Sequence, residues 1–298
     1  MKATLKRLRY TQPLNRITTA AVRSVSRIFG RTPEWAPRHL HRIGEVRERL
    51  PNGTDLILHG RGDDWVTNLV YWNGWRGYEP GTIDLFYRLA IRSSVILDVG
   101  AYVGFFTLVA GHANPRGRLF AFEPMPAIFA RLEENVRRNR LANVECVNAA
   151  VGREDGRARF FFSQEALETG LPTSSSLSAS FMADAAGLAE TEVPLLSLDT
   201  FLRARSVDRV DLIKIDTEST EPEVLSGFAS TLARDRPTII CEVLKDRVDV
   251  EALDAILRPC GYHFFLLSPE GPRPATSIEG HPEFLNYLFT ARPDVDLG

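Results

Sequence analysis

Cysteine is scarce in this chain: there are three in 298 residues, Cys146, Cys241 and Cys260. Their odd number, their wide spacing and the lack of any C-x-x-C pair exclude a disulfide framework and a zinc ribbon. They point to a reducing, cytoplasmic compartment. The six histidines include no H-x-x-x-H pair, which removes a common metal-binding pattern. No apolar run reaches the roughly 20 residues that span a bilayer. The N-terminus also lacks the continuous apolar stretch of a secretory signal. An excess of one charge is missing: 36 Lys and Arg stand against 38 Asp and Glu. Nucleic acid is therefore not expected as a partner. What is present is 44% hydrophobic residues and a mean hydropathy of -0.13. That composition belongs to an ordinary globular chain with ample core.

Three stretches differ in character. Residues 1–36 form a basic arm or helix. Lys2, Lys6, Arg7, Arg9, Arg16, Arg23, Arg27 and Arg31 precede the first acid, Glu34. Val22, Val25, Ile28 and Phe29 recur there at helical spacing. Contact with an anionic membrane is one reading, and a helix packed on the body is the favoured one. Residues 37–78 read as a small β-rich cap segment. Asp55-Leu-Ile-Leu-His59 is a strand after an Asn52-Gly53 turn, and Trp65, Trp72 and Trp75 crowd the remainder. Residues 79–298 alternate strand and helix, which predicts a mostly parallel sheet. Its strands are Val95–Val99, Arg118–Phe122, Val144–Val147, Leu212–Ile215 and 238–243. Two more, 262–266 and Asn286–Thr290, have no helix between them and should pair antiparallel at the sheet edge. Residues 153–200 break the rhythm and read as two extra strands joined by a long loop.

The sharpest local signal is Asp98-Val-Gly100-Ala101-Tyr102-Val-Gly104, at the carboxyl end of the first sheet strand. Open α/β sheets bind ligands there. Gly100 allows a tight turn, and Gly104 would let the following helix approach the sheet. A dinucleotide fingerprint needs glycine where Tyr102 stands, so a pyrophosphate fits poorly. Asp98 would repel phosphate but suits a ligand carrying ammonium and sulfonium charge. The second strand ends in Glu123-Pro124, where an acid can accept hydrogen bonds from both ribose hydroxyls. The third signal is Lys214-Ile-Asp216-Thr-Glu218-Ser-Thr-Glu221-Pro-Glu223. Asp216 and Glu218 sit at the same mouth and could take a proton from a hydroxyl. Glu221 and Glu223 read as acids that favour a helix start.

These three elements together resemble the FkbM family of S-adenosylmethionine-dependent methyltransferases. Asn135, Asn139 and Asn143, the Tyr78-Glu79-Pro80 lead-in and Leu196-Ser-Leu-Asp199-Thr-Phe add to the resemblance, which runs over residues 75–290. It implies a Rossmann-like methyltransferase fold with a seven-stranded sheet, and S-adenosylmethionine as cofactor. It also implies O-methylation of a natural-product or sugar hydroxyl. Carried over, Asp98, Gly100, Ala101, Tyr102, Gly104, Glu123 and Pro124 bind the cofactor. Glu79 contacts its methionine end, Asn148 and Ala149 lie near the adenine, and Asp216 and Glu218 face the transferred methyl. Ser175 and Ser176 match a serine-bearing substrate loop. Ser219 departs from the family, which has glycine there. His281, in the loop before the last strand, is kept as a substrate residue. Asp216 ranks first as the base and Glu218 second. A divalent metal at this pair is left open and no metal ligand is assigned. A homo-oligomer is also left open. The rival readings are a NAD-dependent oxidoreductase and a non-catalytic binding module with a degenerate cleft.

Overall fold

In the computed structural model, residues 12–164, 167, 171, 175–179, 181–182 and 187–292 are described. Five parallel strands form the middle and one side of the main sheet: β3 (Val95–Val99), β4 (Arg118–Phe122), β5 (Val144–Val147), β10 (Leu212–Ile215) and β11 (Thr238–Glu242). Three further strands, β12 (His263–Ser268), β13 (Gly271–Ala275) and β14 (Asn286–Thr290), complete the order β13-β12-β14-β11-β10-β3-β4-β5. The order reverses between β3 and β10, and that crevice is where ligands bind in such sheets. β12 and β14 pair antiparallel as expected. Among the described residues the sheet nevertheless has eight strands, because β13 folds back on β12 as a hairpin. Pro272 and Pro274 hide that strand from a sequence reading. They are tolerated because β13 is an edge.

Strands buried on both faces read as continuous apolar runs. Ile96 and Leu119 pack on one face, while Leu97, Val99, Phe120 and Phe122 pack on the other. The first face is covered by α4 (Pro80–Ile91) and α5 (Phe105–Ala113). The second is covered by α7 (Leu198–Ala204), α8 (Glu221–Ser226), α9 (Ala229–Asp235) and α10 (Val250–Leu257). The chain breaks between α8 and α9 at Gly227, where a Cβ would lie 2.0 Å from the Gly152 carbonyl oxygen.

A smaller sheet, β6-β9-β7-β8, is built from β6 (Ala150–Val151), β7 (Gly156–Ser163), β8 (Ser175–Ser176) and β9 (Leu188–Leu196). It contains the two strands expected in the irregular interval, β7 and β9, with β8 added against β7.

Ahead of the main sheet, α1 (Gln12–Ile28) and α2 (Trp35–His39) lead into the hairpin β1 (Ile43–Arg49) and β2 (Asp55–Arg61). The tryptophan-rich stretch is a helix, α3 (Trp65–Asn73), started by the Asp64 carboxylate accepting from Thr67 N–H. A free edge strand invites unwanted pairing. Here α6 (Pro126–Arg138) and its end occupy the edge of β2. Asn139 accepts from Ile57 N–H at 2.8 Å and donates back to Ile57 O, and Asn135 accepts from His59 N–H at 3.0 Å. Two asparagines one helical turn apart thus mimic a neighbouring strand and fasten the hairpin to the sheet domain.

Candidate active site

The Gly-bearing turn and the Asp216 loop meet at the reversal point. Gly100 has φ +83, and a Cβ on it would lie 1.8 Å from the Asp216 carbonyl oxygen. No other residue fits. Its N–H and that of Ala101 both donate to Phe122 O, which seats the turn on the end of β4. Gly104, at φ +92, serves a different contact from the one expected. A Cβ there would strike Leu132 of α6 at 2.6 Å, so it permits helix-on-helix rather than helix-on-sheet approach.

A cavity of about 280 Å³ opens above this turn. Asp98, Gly100, Ala101, Tyr102, Glu123 and Pro124 line one side. Ala149, Ser175, Asp216 and Glu218 line the rest among the expected residues. Four others take supporting positions. Gly104 caps α5. Asn148 donates to Glu123 O and Pro124 O and fixes the end of β4. Ser176 donates to Glu218 O at 2.6 Å and ties the small sheet to the Asp216 loop. Glu79, at φ 47, precedes α4 and accepts from Asn286 at 3.0 Å. His281 is not brought to the cavity. Its Nδ1 accepts from Glu283 and Phe284 N–H, and its ring stacks on Phe284.

Glu123 is almost wholly buried. One carboxylate oxygen accepts from Met125 N–H at 2.8 Å and the other from Tyr102 N–H at 3.1 Å. Burial pushes its pKa up to about 7, against the pull of those two bonds. Asp98 is buried beside it. One oxygen accepts from the Thr107 hydroxyl at 2.5 Å, and Oδ1 has no hydrogen-bond partner among the described residues. Burial raises Asp98 too.

Lys214 lies opposite Asp98 across the β3–β10 pair. It is 2% exposed, donates to Asp216 at 2.7 Å and sits 4.5 Å above the Phe106 ring. Its neighbouring carboxylates raise its pKa. Around this one ammonium stand Glu79, Asp216, Glu218 and Glu242. Burial pushes Glu218 up to about 8, with Asp216 and Glu221 adding to it. Glu79 and Glu242 are raised by burial first and by neighbouring carboxylates next. Glu242 lines the cavity, and its Oε2 is buried without a hydrogen-bond partner among the described residues.

Sequence reasoning missed Glu242. A lone acid at a strand end carries no local pattern. Register places it, because Cys241 pairs with Ile215 and the next position adjoins Asp216. Glu221 also departs from its reading as a helix-start acid. It is fully buried, and one oxygen accepts from Thr217 N–H, the Thr217 hydroxyl and Ser219 N–H. That clamp holds two strained residues in place, Glu218 at φ 56 and Ser219 at φ 87. Ser219 thus adopts the backbone shape for which the family has glycine.

A doubly wound sheet whose reversal point holds a glycine turn, a buried strand-end glutamate and an acid-rich cavity defines an enzyme of the nucleoside-cofactor class. The family profile described as "Methyltransferase FkbM domain" matches residues 98–264, more than half of the chain. The chain belongs to the FkbM methyltransferase family. It is similar to the 31-O-demethyl-FK506 methyltransferase FkbM of Streptomyces tacrolimicus, 29% identical over 75% of this chain and 90% of that one. It also resembles "Methyltransferase 1" of Beauveria bassiana, 26% identical over 61% of this chain and 77% of that one. Among solved structures, the FkbM methyltransferase of Methylobacillus flagellatus KT aligns with a TM-score of 0.42 and 14% identity. That alignment covers 66% of this chain and 43% of the other.

Proposed function

We propose that this chain moves a methyl group from S-adenosylmethionine to a hydroxyl oxygen of a small natural product or sugar. The observation that carries the reading is the carboxylate cluster. Among the described residues Glu79, Asp216, Glu218 and Glu242 outnumber the one ammonium they surround, Lys214. Buried like charges repel, so such a site favours a cationic ligand. A second requirement is met by Glu123. Its oxygens each hold one backbone N–H and keep free lone pairs for two ribose hydroxyls. The same bond weakens the NAD reading. Tyr102 N–H is already given to Glu123, so the turn does not offer that N–H to a pyrophosphate, and the Tyr102 ring lines the cavity.

When bound, the cofactor supplies a methyl group on a positively charged sulfur. The chain's own part is alignment, exclusion of water and removal of a proton. Asp216 has one carboxylate oxygen already engaged by Lys214, which donates to it at 2.7 Å. Among the described residues Glu218 has no such lysine bond, and burial brings its pKa to about 8, within the range a general base needs. We therefore reverse the order expected from sequence. Glu218 accepts the hydroxyl proton, while Asp216 and Lys214 position the reacting groups. Ser176 and Glu221 hold the loop that carries Glu218.

The test is a methyl-transfer assay over a panel of hydroxyl acceptors, with a pH profile. The expected rate rises with pH and levels off near the pKa of Glu218, about 8. Glu218→Gln should lose about 100-fold or more in rate, and with it the pH dependence. A Glu218→Gln enzyme with the parent rate and profile would remove Glu218 from this role.

A further inference from the structure

The N-terminal helix is turned the wrong way round for a helix that merely packs on the body. Its inward face is polar. Asn15 donates to His41 O at 2.7 Å and accepts from Ile43 N–H, Thr19 accepts from Arg42 at 2.9 Å, and Arg23 pairs with Glu48. Asn15, Thr19 and Ser26 are buried. At about 100° per residue, Leu14, Ile17, Val25 and Ile28 fall together on the opposite side. They point into solvent, with Ile17 68% and Ile28 80% exposed, and Phe29 follows at 74%. Trp35, half-exposed, stands close by, since it and Phe29 line the same surface hollow. Exposed apolar side chains in a contiguous stripe mark an interaction surface.

We propose that this stripe docks on the surface of an anionic phospholipid bilayer, with α1 lying in the interfacial plane. Charge selects that occupant. Residues 1–33 hold eight basic residues and no acid, and with Arg23 turned inward onto Glu48 seven remain to set the charge of this segment. A second copy of the chain would set two such segments against each other. A lipid surface bearing phosphate groups complements them, and interfacial helices combine a similar apolar face with flanking Lys and Arg. Among the described residues no helix is long and apolar enough to cross a membrane, so α1 lies on the bilayer and does not span it. Its polar bonds to the hairpin keep the stripe outward before any lipid arrives.

The experiment is co-sedimentation of the full chain with vesicles of phosphatidylcholine alone and with added phosphatidylglycerol, beside the double variant Ile17→Ser, Ile28→Ser. Light scattering of both proteins runs in parallel. The expected result is binding to the anionic vesicles, weaker at high salt, and reduced at least about tenfold in the variant. S-adenosylhomocysteine affinity serves as the folding check, because neither residue lines the cavity. Equal binding to neutral vesicles, no vesicle binding, or a dimer that the variant abolishes would each overturn the proposal.

Discussion

The cavity and the N-terminal helix break the usual inside–outside rule in opposite directions. The cavity takes charge inward: Lys214, Asp98 and Glu123 are nearly inaccessible. The helix turns Ile17, Ile28 and Phe29 outward. Each arrangement costs stability in the isolated chain, and the two proposals above give each a partner of opposite character. The difference teaches how to read such departures. On the proposed reading, buried carboxylates gathered around one turn suit a compact cationic ligand. On the proposed reading of the helix, an apolar stripe flanked by basic residues suits an extended, negatively charged surface.

The comparison breaks most sharply if the cavity wall is filled. Gly100→Ala places a methyl group against the Asp216 carbonyl at a left-handed φ. We expect about 3 kcal/mol or more of destabilisation and loss of cofactor binding, read by thermal melts and calorimetry. Next comes Glu123→Gln. An amide cannot accept both backbone N–H groups without turning a donor on one of them. The expected loss in S-adenosylhomocysteine affinity is about tenfold or more, with little change for acceptor binding.

A pH series sharpens the cavity side. Asp64, Glu123, Glu218 and Glu221 titrate in the folded chain at about 6, 7, 8 and 7, each raised by burial. The folded protein therefore holds these protons more tightly than the unfolded chain does. Stability present below the ordinary carboxyl range, about 4, is lost progressively as pH rises from there to about 8, where the last of these groups ionises in the folded chain. The ligand-free Tm should fall over that window, and S-adenosylmethionine should restore more of it at pH 8 than at pH 6. Ser219→Gly is a smaller change. Relief of φ 87 should add about 1 kcal/mol. The smallest effect belongs to the helix. Ile17→Ser with Ile28→Ser should leave the Tm and cofactor affinity in lipid-free buffer within about 0.5 kcal/mol of the parent. A large drop there would mean that the stripe is covered by protein after all.

Much of the sheet was legible in the chain because buried parallel strands write themselves as apolar runs. Val95–Val99 and Asn286–Thr290 fall at their expected bounds. Elements whose logic is tertiary were not legible. β13 has two prolines and exists because β12 offers it an edge. The α3 helix hides behind three aromatic residues that suit strands as well. In the site, glycines and strand-end acids were visible because turn chemistry is local. Glu242 was not, since only the pairing of β10 with β11 brings it beside Asp216. The orientation of α1 was equally hidden. Its period was plain, but burial of Asn15 and Thr19 instead of Ile17 and Ile28 follows from hydrogen bonds to the hairpin.

The most direct single measurement is calorimetric titration of the full chain at pH 8 with S-adenosylhomocysteine and, separately, with NADH. Micromolar binding of the first and none of the second is the expected result. Binding of NADH alone would show that the Tyr102 turn admits a pyrophosphate, and the methyl-transfer reading would fall.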